Sequence, residues 1–160
     1  MSQTPVLATQ VLAAPAGPLL DRLARPFAPF AEPLARATVG LFLVPHGAQK
    51  LFGWFGGYGL EATGQFFATK LGLPASLALA AGVIEVFGGL ALALGLGTRV
   101  AALLVAGLMF VATFKVHLGA GFFWTAGGYE YPLMWGLLAL AFAIQGGGRY
   151  SLDALIFRNR

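Results

Sequence analysis

Cysteine is absent from the 160-residue chain, which excludes disulfide exchange, iron–sulfur ligation and thiolate zinc sites for the chain acting alone. Charge is scarce too: Asp, Glu, Lys and Arg make up 10% of the residues, against about 25% in an ordinary soluble globule. Serine-nucleophile motifs, a phosphate-cradling glycine loop and a dinucleotide fingerprint are missing. Redox chemistry would therefore need a bound cofactor, a diffusible quinone or a partner protein. His46 and His117 are the only histidines. Two imidazoles are able to ligate haem, but their spacing offers no chelate, so no metal site is assigned and haem is not the expected cofactor.

What the chain does have is apolar length. Hydrophobic residues make up 58% of it and the mean hydropathy is +0.79, which marks an integral membrane protein. Four apolar stretches separate: Leu34 to Phe52, Ala75 to Gly95, Thr98 to His117 and Glu130 to Gln145. About 20 residues span the hydrocarbon core as a helix, so the fourth stretch is short and should begin or end in the interface. Gly89, Ala93 and Gly97 at four-residue spacing, and Ala102 with Ala106, are expected to let helix backbones approach closely. The fold class expected is all-α, an integral membrane four-helix bundle.

Arginine and lysine set the expected orientation. Arg22 and Arg25 precede the first stretch and Arg36 stands at its start, Arg99 lies between the second and third, and Arg149, Arg158 and Arg160 follow the fourth. With four spans these share one side, opposite Lys50, Lys70 and Lys115, so the positive-inside rule puts both termini in the cytoplasm. The net charge of +4 and pI near 9.9 then describe topology and attraction to an anionic bilayer, with no nucleic-acid partner implied.

Residues 1–33 have no charged, apolar leader pattern at their start, and no cleaved signal is expected. Leu19, Leu23, Phe27, Phe30 and Leu34 recur at helical spacing, which suits an amphipathic helix in the cytoplasmic interface, interrupted by Pro26, Pro29 and Pro33. Residues 1–16 read as a loose tail, or as a strap that orders against another subunit.

Glu85 sits near the centre of the second stretch, where an acid costs roughly 2.5–3.5 kcal/mol on insertion scales and so needs a partner. His46 and Lys50 stand four apart on one face of the first helix, with Gln49 beside them; Lys115 and His117 end the third, and Glu130 opens the fourth. An antiparallel arrangement lets His46, Gln49, Lys50, Glu85, Lys115, His117 and Glu130 converge on a polar pocket at the outer face. Plainer roles compete: Lys50 and Lys115 snorkel to headgroups, Glu130 caps its helix, His46 bonds a carbonyl, and Glu85 pairs with a lysine to hold register. The loop residues Trp54, Phe55 and Tyr58, with Phe122, Phe123 and Trp124, serve as interfacial anchors or as an apolar lid whose flat walls suit a quinone ring.

Several short segments occur in a definite order: His46-Gly47 with Lys50, Gly72-Leu73-Pro74, Glu85 with Gly88-Gly89, Gly95-Leu96-Gly97-Thr98-Arg99, Gly127-Gly128-Tyr129-Glu130 and Ser151-Leu152-Asp153. In these the chain resembles the DoxX family of small bacterial membrane proteins over about residues 34–155. The resemblance implies a four-helix domain at 34–155, with 1–33 as a separate tail and interfacial segment and 156–160 as a C-terminal tail. It also implies a bacterial inner (cytoplasmic) membrane location and association with quinone-linked oxidation or redox-stress assemblies. It transfers no catalytic set.

Three functions are carried forward. The first is an accessory or quinone-interacting subunit of a membrane oxidoreductase or electron-transfer assembly, working with other redox subunits and not as an enzyme by itself. The second is a structural subunit of a larger membrane complex, and the third is a small-solute carrier acting as an oligomer through self-association.

Overall fold

The computed structural model describes residues 18–157, and every regular element among them is helical. The readings placed on residues 1–16, and on Arg158 and Arg160, lie outside the described residues. The chain divides into two compact units, Met1–Ala31 and Glu32–Arg160.

In the first unit, α1 (Leu19–Ala24) presents Leu19, Leu20 and Leu23 to the outside, and Phe27 is exposed in the turn that follows. α2 (Ala28–Phe52) then begins and continues into the second unit as 25 residues of unbroken helix. Of the three prolines expected to interrupt this region, only Pro26 falls at a break. Pro29 occupies the first turn of α2, where a backbone N–H has no intrahelical partner to lose. Pro33 and Pro45 lie inside α2, each removing one helical bond that the surrounding helix absorbs.

The second unit continues with α3 (Gly59–Lys70), α4 (Leu77–Leu94), α5 (Thr98–Ala120), α6 (Glu130–Gln145) and α7 (Leu152–Phe157). α3 starts six residues before the short helix expected at Gln65. α4 and α5 are long and apolar enough to cross a membrane, and only 39% and 33% of their most apolar windows is buried within the protein. Their remaining apolar side chains, Leu79, Phe87, Leu103, Leu104 and Phe114 among them, face outward. α6 has 16 residues, ~24 Å of helix, which is short against a hydrocarbon core of about 30 Å.

The core is built from small residues. Val39, Leu92, Ala101, Ala102, Phe142 and Ala143 form one cluster, and Leu43, Val105, Ala106, Met109 and Ala139 the next. Val39 shares the first cluster with Phe142 and Leu43 the second with Ala139, so the order along α2 is reversed along α6 and the two run antiparallel. With alanine at five of these eleven positions the helices come close to one another, the packing mode available where no water drives association.

The closest approach is between α2 and α4. A Cβ on Gly40 would collide with the Gly89 carbonyl oxygen, and one on Gly89 would stand 2.6 Å from the Gly40 carbonyl oxygen. Seven residues along each helix the contact repeats: a Cβ on Gly47 would lie 2.7 Å from the Gly82 carbonyl oxygen. Gly89 thus has the packing role expected of it, and Ala93 lies against Gly40. Gly97 does not share that role. It sits outside the helices in the α4–α5 turn with φ +54, where a left-handed backbone and not close packing calls for glycine.

Replacing Gly40 with valine inserts atoms where backbone already stands. The expected result is a loss of about 1–3 kcal/mol or more, read as a lowered Tm in detergent or nanodiscs, whereas Gly107→Val, at an open position, leaves Tm nearly unchanged.

Candidate functional site

The glycine contact between α2 and α4 brings Lys50 to Glu85. Lys50 Nζ donates to Oε1 at 2.8 Å and to Oε2 at 2.7 Å, and reaches the His46 carbonyl oxygen at 3.5 Å. The Glu85 side chain is 6% exposed and that of Lys50 is 28% exposed, so the carboxylate is sealed while the lysine side chain stays partly exposed. Glu85 lies in a wider, π-helical turn of α4, Ile84–Gly88, and both Glu85 and Val86 point inward from it. Such turns insert an extra residue into a helix and commonly coincide with functional positions. His46 is exposed, and its imidazole makes no hydrogen bond to the described residues.

The other expected members stand elsewhere. Gln49 Nε2 donates to the Phe55 carbonyl at 3.2 Å, and Gly57 packs against the Gln49 backbone, folding the loop back over the end of α2. Phe55 accepts a left-handed backbone there, φ 53. Lys115 is exposed, in a second π-helical turn covering Ala112–His117. His117 Nδ1 lies 2.7 Å from the Gly127 carbonyl oxygen; since a carbonyl only accepts, Nδ1 carries the proton. Glu130 Oε2 accepts from the Trp124 backbone N–H at 3.2 Å. His117 and Glu130 thus brace the α5–α6 loop, and among the described residues no hydrogen bond or ion pair joins them or Lys115 to Lys50 and Glu85.

The aromatic residues likewise form two groups. Trp54 meets Phe52 at 5.0 Å and Phe55 at 6.5 Å between ring centroids. Phe122 meets Phe123 at 5.4 Å and Tyr129 at 5.6 Å, and Trp124 stacks on Tyr131 at 5.4 Å. No ring contact between the two loops is present among the described residues, and Tyr58 is 87% exposed.

A second polar constellation, at the other end of the same helices, was read in the sequence only as charge and motif. Arg36 is 1% exposed. Its Nη1 donates to the Leu92 and Ala93 carbonyls, both at 2.7 Å, its Nη2 to the Tyr150 carbonyl at 3.0 Å, and its Nε to Glu32 at 2.8 Å. Arg99 serves the end of α6 in the same way, through the Ala143 and Ile144 carbonyls at 2.9 and 2.6 Å. Asp153 closes the start of α5, accepting from Gly97 N at 2.7 Å, Thr98 N at 2.8 Å and the Thr98 hydroxyl at 2.7 Å. Orphan donors and acceptors at helix ends are thereby satisfied across the chain and not locally. Arg36, four residues after Glu32 and at the edge of an apolar stretch, had a detectable signal in that i, i+4 pairing.

Two open surface depressions border this clasp, one beside Thr98, Arg99, Asp153 and Phe157, the other beside Leu94, Arg149, Tyr150 and Leu155; neither reaches Glu85. Burial raises the pKa of the Asp153 carboxyl, but the Thr98 and Gly97 hydrogen bonds and the Arg36 charge outweigh it and hold it below the usual carboxylate value.

An all-helical chain with two membrane-length apolar helices and a sealed ion pair between neighbouring helices defines a class of membrane protein. The DoxX family profile matches residues 33–118, and the chain belongs to the DoxX family. It is 32% identical over 127 residues to a Bacillus subtilis (strain 168) protein named "Putative oxidoreductase CatD", covering 79% of this chain and 87% of that one. It is 36% identical over 135 residues to a Haemophilus influenzae protein named "Uncharacterized protein", covering 82% of this chain and 95% of that one. No solved structure matches.

Two outcomes follow from these constellations. Lys50→Met strands a buried carboxylate and should cost about 3–5 kcal/mol, while the double variant Lys50→Met/Glu85→Met, which removes both charges, should unfold at higher denaturant than the single one. Asp153→Asn should cost about 1–3 kcal/mol at neutral pH. Because the folded pKa of Asp153 is depressed, its contribution is complete above about pH 3.9, the unfolded value, and disappears as pH falls through the lower folded value. The Tm difference between the wild type and Asp153→Asn should accordingly narrow in acid.

Proposed function

We propose that the chain is an accessory, quinone-interacting subunit of an oxidoreductase or electron-transfer assembly in the bacterial inner membrane. In this reading α2, α4, α5 and α6 cross the bilayer as a four-helix bundle at residues 34–155, with both termini cytoplasmic and residues 1–33 as a tail and interfacial segment. The Arg36, Arg99 and Asp153 clasp then lies at the cytoplasmic end, where the positive-inside rule wants arginine. The exposed apolar side of α1 supports its interfacial placement.

The observation that carries the reading is the Lys50–Glu85 pair. Two charges held in an apolar helical interior are costly unless they do something, and a pair with one member partly reachable is a place where a proton or a polar ring substituent is met. Membership of a family with a relative named as an oxidoreductase gives that place a redox context. The chain has no cysteine thiol, so in this reading its contribution is to the assembly's chemistry and not to turnover alone.

A structural-subunit reading has one observation in its favour: Lys50 satisfies both Glu85 oxygens, which is how a register-fixing ion pair looks. Membranes bearing Glu85→Gln separate the two. With the protein present and assembled at wild-type level, the quinone-linked reading expects quinone reduction by the membranes to fall about tenfold or more. Unchanged quinone reduction sinks it in favour of the structural role.

A further inference from the structure

One side of α2 changes character along its length. Val39 is 3% exposed, packed with Leu92 and Phe142. His46, seven residues on and therefore on nearly the same side of the helix, is exposed, and Phe42 between them is 62% exposed. This side of α2 is buried at the Val39 level and exposed at the His46 level.

The facing side of α6 is aromatic. Trp135 Nε1 donates to the Val39 carbonyl at 3.1 Å, and its ring meets Phe42 edge-on at 6.4 Å. One turn earlier, Tyr131 is 45% exposed; its ring lies 6.4 Å from Trp135 and stacks on Trp124 at an interplanar angle of 11°. Because the helices are antiparallel, the step from Trp135 to Tyr131 runs the same way as the step from Phe42 to His46. His46 and Tyr131 are thus each one turn on, in the same direction, from the Phe42–Trp135 contact, which lays out a strip along the two helices toward Lys50 and its ion pair with Glu85.

A strip of this kind is ill suited to hydrocarbon alone. An imidazole without a hydrogen bond is expensive beside acyl chains, and its N–H is a donor seeking an acceptor. The neighbouring rings offer edges and faces for a second flat ring. A molecule that matches both needs is planar, carries carbonyl acceptors and dissolves in the bilayer.

We propose that the strip between α2 and α6 is the docking site for the headgroup of a membrane quinone, which enters sideways from the bilayer. His46 donates a hydrogen bond to one ring carbonyl, and Phe42, Tyr131 and Trp135 form the walls. The inference rests on the quinone-linked reading above and gives it a location on the lateral face, apart from the loop that holds Trp54. His46 and Tyr131 act in binding; the electrons come and go through the partner subunits of the assembly.

The test uses the full chain in lipid nanodiscs. The protein has three tryptophans, so Trp54→Phe/Trp124→Phe leaves Trp135 as the sole reporter, and a short-chain benzoquinone is titrated against its emission. Saturable quenching is expected, weakened about tenfold by His46→Phe and retained by His46→Gln, which keeps a donor. Since His46 is exposed, neither change disturbs the core. A photoreactive azidoquinone should label the peptides holding Phe42 to Lys50 and Tyr131 to Trp135. Saturable binding that ignores His46→Phe, with label confined to residues 52–58, overturns this site and leaves the quinone reading standing. Quenching that rises linearly, with no specific label, overturns both. Spontaneous crosslinking of His46→Cys between copies also overturns the site, because a second chain would then cover the strip.

Discussion

α2 and α4 touch backbone to backbone at Gly40 with Gly89 and again at Gly47 with Gly82, and most of what is distinctive in the protein depends on that contact. A lysine ammonium and a glutamate carboxylate bond at 2.7–2.8 Å only if the helices that bear them are held at a fixed separation and register. The glycines supply the separation, and their seven-residue recurrence on both helices supplies the register. The cost of desolvating Lys50 and Glu85 is offset only while that geometry holds, so packing and charge stabilise each other here.

The two polar constellations divide the work between them. Arg36, Arg99 and Asp153 each reach across to the end of a helix other than their own and satisfy backbone groups that nothing local could satisfy. In an apolar surround an unmet carbonyl or N–H is costly, and these long polar side chains give the helix ends a defined arrangement without water. At the other end the polar groups are not all consumed. Glu85 is satisfied, Lys50 is partly reachable and His46 is open, and the difference between a closed clasp and an open strip is what makes the second region the place to look for chemistry.

The motif segments show how residue pattern and structure relate. Gly95-Leu96-Gly97-Thr98-Arg99 and Ser151-Leu152-Asp153 stand apart in sequence as a family signature, and in space they are one object: Asp153 caps the helix that Thr98 begins, while its own N–H bonds the Gly95 carbonyl. Glu85 and Lys50 are joined in the same way by folding. Gly127-Gly128-Tyr129-Glu130 serves a separate purpose, closing the α5–α6 loop through His117 and Trp124. Polar residues toward the outer ends of antiparallel helices, with Glu85 deeper, were expected to share a pocket, but position along a helix leaves the helical azimuth open, and azimuth sent Lys115 outward and Glu85 inward.

Composition and periodicity alone determined that the chain is helical and apolar, where its long helices begin and end to within three residues except at the start of α2, which lies six residues before Leu34, and that Glu85 required a partner. These are properties of hydropathy and spacing, which act locally along the chain. Tertiary structure alone decided which cation met Glu85, that Arg36 is a buried clasp and not merely a topological charge, and that His46 is exposed while Val39, on the same side of α2, is buried. Those outcomes depend on how close two helices come and how each is rotated about its axis, and both are settled by contacts between residues far apart in the sequence.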